Sequence, residues 1–406
     1  MKFELWHLPP IPIAIMNALF ATLRRRTPLG WLQLKRDRTR LLTAIAGIAF
    51  ADILIFMQFG FMDALFQSNT QYPRTLLADI VLVSTLADNL GNLRTFPRRR
   101  IYQALDIPGV ESVDALYVGS VDWRNPDTRD KASMMILGQS PDRPTFDLPA
   151  VNQQLDRLKL PDTVLFDRAA RGDYRALIAQ LEEGRTVDTE IGRRTIAIDG
   201  LFQVGASFAD DGALITSHTT FLHLFPRRDE GAISLGSIEL QDGADPERVR
   251  EAIAAHLPDD VRVFTNEEYV DFELNYIKTA TAISFVFTLG SAMGFVVGVV
   301  IVYQVLSTDV NDHLAEYATF KAMGYRTQYL LGVVFEEAVI LSLCGFVPGV
   351  MVAVGLYQLT AAATALPLAM PLSRAVWVLT LTVAMCGLSG AIATRRLQSA
   401  DPADIF

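Results

Sequence analysis

Residues 41–66 read LLTAIAGIAFADILIFMQFGFMDALF, an apolar stretch interrupted mainly by Asp52 and Asp63. A helix needs about 20 apolar residues to cross a hydrocarbon core of roughly 30 Å, and this stretch is long enough. Its spacing from the other apolar segments is lopsided, because a long polar region follows before three more candidate spans cluster together. These three cover residues 279–306, 329–359 and 376–393. The pattern predicts a membrane-anchored protein with one large extracytoplasmic domain.

Basic residues around the spans predict the orientation, because loops that stay in the cytoplasm collect Lys and Arg. Seven basic residues lie within residues 24–40, and Arg395 and Arg396 follow the last span, whereas the loop before that span carries only Arg374. Both termini are therefore predicted to be cytoplasmic in a multi-pass protein. The predicted order is an interfacial amphipathic segment (1–40), first span (41–66), periplasmic domain (67–278), second span (279–306), cytoplasmic link (307–328), third span (329–359), short periplasmic loop (360–375), fourth span (376–393) and cytoplasmic tail (394–406).

Composition agrees with a membrane protein that carries an acidic soluble domain. Half of the residues are apolar, and the net charge is −9. No basic stripe appears outside the clusters that flank the membrane, which disfavours a nucleic-acid partner. Those clusters are expected to contact anionic membrane lipid. The two cysteines, Cys344 and Cys386, both fall in predicted spans, so the outer domain is expected to depend on a packed core rather than on disulfides.

The outer domain repeats a strand–helix–strand pattern, once near each of its ends. Asp245 is placed to cap the helix of the second repeat, which Pro246 begins. Together with the spans, this predicts an α-helical membrane protein with four transmembrane helices plus an α+β periplasmic domain, built as a split βαβ lobe with an inserted β-rich lobe. The predicted elements are Ile80–Ser84, Pro97–Leu105 and Gly109–Trp123 in the first repeat, Ile233–Leu240, Pro246–His256 and Val261–Phe264 in the second, a helix from Asn266 into the second span, and short strands such as Arg194–Ile198 between them.

Motifs for catalysis are missing from the sequence. No Gly-x-x-x-x-Gly-Lys-Ser/Thr phosphate loop occurs, so the chain is not expected to bind ATP itself. His218 and His223 lie five residues apart, which is a weak pattern for zinc, and Asp210 and Asp211 before a glycine are typical of a turn. Glu182 and Glu183 suit a solvated helix end. We therefore expect a non-catalytic chain with no metal and no cofactor of its own.

The predicted cytoplasmic link contains HLAEYATFKAMGY at residues 313–325. Helical periodicity places apolar residues on one face, and Gly324 is suited to end the helix. A short amphipathic helix of this kind docks in a groove of another protein or lies on the membrane, and periodicity alone does not decide between them. The residues on the predicted face are Leu314, Tyr317, Ala318, Ala322 and Tyr325, with Glu316 and Lys321 off it.

One span, a large outer domain and three clustered spans, with EYATFKAMGY in the link, resemble the FtsX/MacB-like permease subunits of ABC transporters. Residues 30–61, GWLQLKRDRTRLLTAIAGIAFADILIFMQFGF, are similar to the DevC-type exporter permeases of cyanobacteria. The resemblance implies a homodimer in the bacterial inner membrane with a separate ABC ATPase subunit that binds ATP and Mg. It further implies a periplasmic adaptor of the membrane-fusion type, a TolC-like outer-membrane duct, and efflux of a glycolipid or another amphiphile.

The same resemblance implies that the link is the helix that couples the permease to its ATPase. Short side chains at this surface are then expected to uncouple the transporter. The candidate coupling residues are Leu314, Glu316, Tyr317, Phe320, Lys321, Met323 and Gly324.

Polar and small residues within the spans form a second set of candidates. A lipid-facing carboxylate costs about 2.5–3.5 kcal/mol on insertion scales, so Asp52 is expected to face protein. A hydrogen bond to a neighbouring helix is the favoured role for Asp52, with proton relay as the alternative. Glu336 and Glu337 are expected to divide between the interface and the interior. The small-xxx-small ridges Gly290, Gly294, Gly298 and Gly345, Gly349 predict close helix packing, within one subunit or at a homodimer interface.

Two other classes of protein share parts of this pattern. One is a regulatory scaffold similar to FtsX, whose outer domain would activate a periplasmic cell-wall hydrolase. The other is a membrane sensor with an outer ligand-binding domain. Sensors normally continue into a cytoplasmic signalling domain, whereas only about a dozen residues follow the last predicted span.

Overall fold

The computed structural model describes residues 38–192, 194–280, 282–325 and 327–394. Most of the predicted interfacial segment (1–40) and almost all of the predicted tail (394–406) lie outside the described residues. The chain divides into two compact units. The first comprises the described residues of Met1–Phe59, Leu289–Gly355 and Met370–Phe406, and the second comprises Gly60–Thr288 and Leu356–Ala369.

The helices are α1 (Arg38–Thr75), α2 (Arg99–Ala104), α3 (Pro149–Asn152), α4 (Arg175–Glu182), α5 (His218–Leu224), α6 (Pro246–His256), α7 (Asn266–Ala280), α8 (Ala282–Asp312), α9 (Leu314–Ala322), α10 (Thr327–Thr364) and α11 (Leu372–Ala393). The strands are β1 (Ile80–Ser84), β2 (Phe96–Pro97), β3 (Val110–Arg124), β4 (Lys131–Gln139), β5 (Thr163–Asp167), β6 (Val187–Ile191), β7 (Arg194–Phe202), β8 (Gly212–Ser217), β9 (Ala232–Ile233), β10 (Leu235–Leu240) and β11 (Val261–Thr265). Short 3-10 turns occur at Leu90–Asn92 and Leu155–Lys159.

Four helices, α1, α8, α10 and α11, are long and apolar enough to cross a membrane, which confirms the four predicted spans. Two of them extend far beyond the predicted boundaries. Helices α1 and α10 each contain 38 residues. At 1.5 Å per residue each is about 57 Å long, nearly twice the thickness of a hydrocarbon core. Each of these two helices contributes residues to both compact units.

The core of the first unit is made where small residues let helices approach closely. Ala44, Ile48 and Ala51 of α1 are buried together with Val302 of α8 and Leu341 of α10. Lipid offers no hydrophobic advantage to one helix over another, so such contacts stabilise the bundle through van der Waals packing. Helix α1 therefore forms the centre of this unit.

The second unit is built on a nine-stranded sheet with the order β11-β1-β10-β3-β4-β8-β5-β7-β6. The first four strands in this order are antiparallel to their neighbours, with Ile80 opposite Ile238 between β1 and β10. Helix α2 connects β1 to β3 across the short strand β2, and α6 connects β10 to β11. This arrangement confirms the split βαβ lobe and both of its predicted repeats.

The inserted region is rich in strands, as predicted, but these strands extend the sheet of the first lobe. Strand β3 has 15 residues and serves both parts. Its residues 110–116 pair with β10, and its residues 117–124 pair with β4. Strand β4 then pairs with β8 in parallel, and β8 pairs with β5. One strand longer than either partner thus joins the two lobes without a break.

Both faces of this sheet are covered. On β1, Ile80 and Leu82 point into one core, with Ile101 of α2 and Ile253 of α6. The alternate residues Val81 and Val83 point into a second core, which contains Tyr72 at the end of α1 and Tyr269 of α7. A strand buried on both faces reads as a continuous apolar run, and IVLVS is such a run. The end of α1 and the start of α7 therefore form one covering layer of the outer domain.

Helix α6 begins at the residue that the sequence predicts. The Asp245 side chain accepts a hydrogen bond from the backbone N–H of Glu247 at 3.1 Å, and Pro246 occupies the first turn. A capping carboxylate satisfies an amide that has no partner within the helix, and it interacts favourably with the helix dipole. The local signal was sufficient here because every group involved lies within three residues.

Candidate functional site

The link between the second and third spans is a short helix, α9, seated on its neighbours by two apolar side chains. Leu314 and Phe320 pack against the buried residues Val310 of α8 and Val334 of α10, together with Tyr329. Leu314 and Phe320 are both among the predicted coupling residues, and each is partly buried against the bundle, so the coupling role of these two residues stays a prediction.

The opposite side of the link is open. Met323 is 61% exposed, and Glu316 is also exposed. Gly324 has a φ of 91°, a left-handed conformation that ends the helix at low cost, as predicted. Tyr325 is 47% exposed, although its ring contacts Phe320 with centroids 5.6 Å apart. The side chains of Tyr317, Ala318, Lys321 and Ala322 lie outside the described residues.

Directly before the link, an arginine fastens α1 to the end of α8. Arg40 Nη1 lies 3.0 Å from Asp309 Oδ1, and Arg40 Nη2 also contacts Asp312. His313 Nδ1 lies 3.0 Å from the backbone oxygen of Asp309, which ties the start of the link to the same group. From the sequence, Arg40 is only part of the topology signal, because no sequence pattern pairs residues that stand 269 positions apart.

The acidic pair on α10 divides as predicted between the interior and a more open position. Glu337 is fully buried, whereas Glu336 is partly exposed. Glu337 lies close enough to Asp309 for their charges to interact, so α10 also approaches the arginine group. Residues from α1, α8 and α10 therefore meet immediately beside the link.

Asp52, near the middle of α1, is fully buried. The hydroxyl of Thr382 on α11 donates a hydrogen bond of 2.7 Å to Asp52 Oδ1. The same hydroxyl lies 2.8 Å from the backbone oxygen of Val378. The carboxyl group thus faces protein and joins two spans, which is the geometry expected for a structural role.

Both glycine ridges face α1 of the same chain. A Cβ at Gly294 would lie 3.1 Å from Ile55, and one at Gly298 would lie 3.0 Å from Ala51 and would collide with Met385 of α11. The same holds for Gly290, where a Cβ would meet Gln58, and for Gly345 and Gly349, where it would meet Ile48, Ala49 and Asp52. The ridges therefore pack helices within one subunit, which is one of the two arrangements that the sequence pattern allows. The small-xxx-small pattern predicts that another helix packs closely against the glycines, but it does not identify that helix.

In the second unit, Arg171 holds the end of α10 to the outer domain. Its Nε donates a hydrogen bond of 2.7 Å to the backbone oxygen of Thr364, the last residue of that helix. Its Nη2 donates to the backbone oxygen of Ser207 at 2.8 Å, and its Nη1 lies 3.0 Å from Asp211 Oδ1. We refer to Arg171, Ser207, Asp211 and Thr364 as the Arg171 clasp. No sequence signal identified it, because two of its three acceptors are backbone oxygens.

Asp210 and Asp211, predicted as part of a surface turn, are more than that. Asp210 is only 6% exposed and accepts hydrogen bonds from Ser120 and Ser133, at 3.2 and 3.1 Å. Burial raises the pKa of Asp210, which its serine partners partly offset. The turn Ser207–Asp211 is therefore anchored to β3 and β4 on one side and to Arg171 on the other.

The remaining sequence candidates stand apart from these groups. His218 Nε2 lies 2.7 Å from the backbone oxygen of Ala115, and burial lowers the pKa of His218 to about 4. His223 lies beside Asp162 instead. Glu182 and Glu183 are exposed at the end of α4, where Glu182 pairs with Arg168. Within the described residues, no three His, Cys, Asp or Glu side chains are grouped to hold a metal ion.

The fold and these contacts define a protein with four membrane-spanning helices and a large α+β domain, in which a short link helix is fastened beside the bundle. Residues 288–402 match the family described as FtsX-like permease C-terminal. This match supports the FtsX-like part of the resemblance for the carboxy-terminal region, which contains most of α8, the link, α10 and α11. No curated protein matches the chain.

Three solved structures are similar to this chain at low identity. The periplasmic region of MacB from Actinobacillus actinomycetemcomitans has a TM-score of 0.33 and 12% identity, covering 51% of this chain and 96% of that one. The extracellular domain of the noncanonical ABC-type transporter YknZ from Gram-positive bacteria has a TM-score of 0.31 and 12% identity, with coverages of 46% and 99%. A domain of a permease protein from Porphyromonas gingivalis has a TM-score of 0.28 and 16% identity, with coverages of 46% and 88%.

Proposed function

We propose that this chain is the permease subunit of an ATP-driven exporter, and that it transmits movement from the link helix to the outer domain. The observation that carries the proposal is the length of α1 and α10. Each is one helix that is nearly twice as long as a membrane span and reaches from the first unit into the second. A long helix transmits displacement because its backbone hydrogen bonds resist bending, and each of these two helices lacks only the one bond that an interior proline removes, at Pro73 in α1 and at Pro348 in α10.

The Arg171 clasp supports this proposal. A displaced helix moves a domain only if its end is attached to that domain. Three bonds from one guanidinium attach Thr364, at the end of α10, to the turn Ser207–Asp211, which is itself anchored in the sheet. In this proposal the clasp is the contact through which movement of α10 reaches the outer domain.

The open side of α9 is the surface on which the partner is proposed to act. It presents Glu316, Met323 and Gly324, while Leu314 and Phe320 hold the helix against α8 and α10. A partner that pushes on this surface would displace the end of α8 and the start of α10. The partner is an ABC ATPase subunit that binds ATP and Mg, because the chain itself has no phosphate loop.

The cellular arrangement follows from the charge pattern and the resemblance. The protein sits in the bacterial inner membrane as a homodimer, with both termini and the link in the cytoplasm and the α+β domain in the periplasm. The outer domain engages a membrane-fusion adaptor and, through it, a TolC-like duct. The cargo is a glycolipid or a related amphiphile, as in the DevC-type exporters that the amino-terminal sequence resembles.

The proposal is tested with a tagged chain expressed in its own host. Wild type, Arg171→Ala and the control Arg175→Ala are purified from membranes, and the accompanying chains are identified. Arg175 is a suitable control because its side chain is 89% exposed and pairs only locally with Asp173. All three proteins should bring down an ABC ATPase and an adaptor. Release of amphiphiles into the medium should fall at least fivefold for Arg171→Ala alone.

Two results would contradict the proposal. If a cell-wall hydrolase accompanies the chain in place of an adaptor, the FtsX-like regulatory scaffold is the correct function. If Arg171→Ala exports normally while its complex is intact, movement does not pass through the clasp.

A further inference from the structure

A small cleft in the second unit contains no residue of the link, and it shares one residue, Ser207, with the Arg171 clasp. It lies between the end of α1, the start of the Leu90–Asn92 turn, the Ser207–Asp210 turn and α7, and its volume is about 70 Å³. Among the described residues that line it, none is Lys or Arg. Its polar side chains are those of Ser68, Asn69, Tyr72, Asn89, Ser207, Asp210 and Glu273.

Glu273 is the least expected residue in this cleft. It is 1% exposed, and its Oε1 has no hydrogen-bond partner among the described residues. Burial raises the pKa of Glu273 to about 7, against smaller opposing effects from the backbone N–H of Leu90 and from the hydroxyl of Tyr269. A buried carboxyl oxygen without a hydrogen-bond partner costs free energy, so its retention in a packed layer needs a reason.

A second polar atom in the cleft also lacks a partner. The hydroxyl of Tyr72 on α1 has no hydrogen bond within the described residues, although the side chain is 6% exposed. Asp210 contributes another buried carboxyl group, which its two serine partners hold in place. The cleft therefore combines acceptor oxygens from three elements with an excess of negative charge.

We propose that this cleft binds a primary ammonium group, with Glu273 as its anionic partner. The space suffices, because one water molecule needs only about 10–15 Å³ of such volume. An –NH₃⁺ group offers three donors, which match Glu273 Oε1, the Tyr72 hydroxyl and the carboxyl of Asp210. A quaternary ammonium has the same charge but no N–H, so it would leave these oxygens unpaired.

This inference does not depend on the export function. An ammonium group occurs both on soluble amines and on the ethanolamine head group of a phospholipid, and the cleft recognises the chemistry that they share. Because Tyr72 and Glu273 lie on the two helices that cover one face of the sheet, an occupied cleft would join those helices.

The test uses the full chain in nanodiscs of phosphatidylglycerol at pH 8, with methylammonium chloride as the probe. Sodium chloride and tetramethylammonium chloride at equal ionic strength are the comparison salts. A ligand that binds the folded state raises the apparent Tm in proportion to ln(1 + [L]/Kd). Methylammonium should raise the Tm of wild type saturably, and the two comparison salts should not.

Three variants locate the effect. Glu273→Gln should weaken the apparent affinity for methylammonium at least tenfold. Tyr72→Phe, which removes only the hydroxyl, should weaken it about threefold and stays informative if the glutamine variant folds poorly. Glu267→Gln is the matched control, because Glu267 is exposed on the first turn of the same helix, and it should bind as wild type does.

The proposal fails if wild type shows no saturable response, if tetramethylammonium acts as well as methylammonium, or if Glu273→Gln and Tyr72→Phe both respond as wild type does. Replacing half of the lipid by phosphatidylethanolamine identifies the source. A raised starting Tm with loss of the methylammonium response, in wild type but not in Glu273→Gln, supports a lipid head group. An unchanged response supports a soluble amine, and an equal change in both proteins contradicts the site.

Discussion

Arg40 and Arg171 each hold a helix end in place, one beside the link and one in the outer domain, but they do so by different means. Arg40 meets the carboxylates of Asp309 and Asp312. Arg171 meets one carboxylate and the backbone oxygens of Ser207 and Thr364. Attraction between charges tolerates changes of geometry, whereas three acceptors in different directions require the planar fork of a guanidinium. The contact beside the link is therefore held by charge, and the contact in the outer domain is held by geometry.

The largest effect is expected from a double substitution in the link, which leaves both arginines unchanged. Tyr317→Ala combined with Met323→Ala should abolish export and lower the affinity for the ATPase at least tenfold, while the chain stays inserted and bound to its adaptor. Loss of apolar contacts at a small interface costs a few kcal/mol, which is enough for such a change. Co-purification and amphiphile release measure the two effects.

Thr319→Ala is the control for this variant, because Thr319 is exposed and its hydroxyl bonds only within the helix, to Ala315. Unchanged ATPase binding and export in the double variant would mean that the link lies passively on the membrane. The arginine comparison would then describe two structural contacts and no transmission.

The arginine comparison is tested most directly by lysine. Arg171→Lys should lower export at least fivefold, because one ammonium group does not reach three diverging acceptors. Arg40→Lys should keep export within about twofold, because a lysine retains the attraction to the neighbouring carboxylates. ATPase association should be unchanged in both. Equal losses in the two variants would show that the clasp is also held by charge.

Glu273 provides a test of the outer domain by pH. Because its pKa is raised from 4.5 to about 7, the folded state holds the proton more tightly than the unfolded state. Its contribution to the free energy of unfolding is present below pH 4.5 and is lost as the pH rises through 7, by up to about 3 kcal/mol. The apparent Tm of wild type should therefore fall between pH 5 and pH 8 more than that of Glu273→Gln. Parallel curves would show that Glu273 is not protonated in the fold.

The helix packing in the first unit gives a smaller, structural effect. Gly298→Leu should destabilise the bundle by about 1–3 kcal/mol, because a side chain there collides with Met385 and Ala51. Gly332→Leu is the control, since no atom lies within 4 Å of its Cβ position. Thermal unfolding in one detergent compares them. Equal Tm values would mean that α8 and α1 separate more easily than their close approach suggests.

The smallest effect is expected at Asp52. In Asp52→Asn the amide oxygen still accepts the hydrogen bond from Thr382, so insertion, folding and export should remain close to wild type. Wild-type protein levels with abolished export would instead assign a proton relay to this carboxyl group. That result would place a second functional centre inside the bundle, away from both arginines.

Local features of the sequence were enough for most of the fold. Asp245 followed by Pro246 set the start of α6, and the run IVLVS set β1, because the groups that decide these elements are neighbours in the chain. The four spans were equally clear, since a run of about 20 apolar residues is the length that a helix needs to cross a membrane. The far ends of α1 and α10 were missed, because outside the membrane those helices are held by contacts with other elements and not by their own hydropathy.

The candidate sites divide along the same line. The sequence identified the link, the buried carboxyl groups and the glycine ridges, because each residue type is unusual for its position within an apolar or amphipathic helix. It did not identify the partner of any of them. Asp52 accepts a hydrogen bond from Thr382, and the glycine ridges pack against α1. Such pairings depend on which helices become neighbours.

By itself the sequence determined which segments are long and apolar enough to cross a membrane and which strands and helices alternate in the outer domain, since hydropathy, periodicity and capping act over a few residues. Only the tertiary structure decided that β3 joins two lobes into one sheet, that Phe320 faces the bundle, and that Arg171 reaches Thr364 across 193 positions of the chain. These depend on chain segments meeting in space, and the free energy of such meetings is spread over many contacts that no local pattern records.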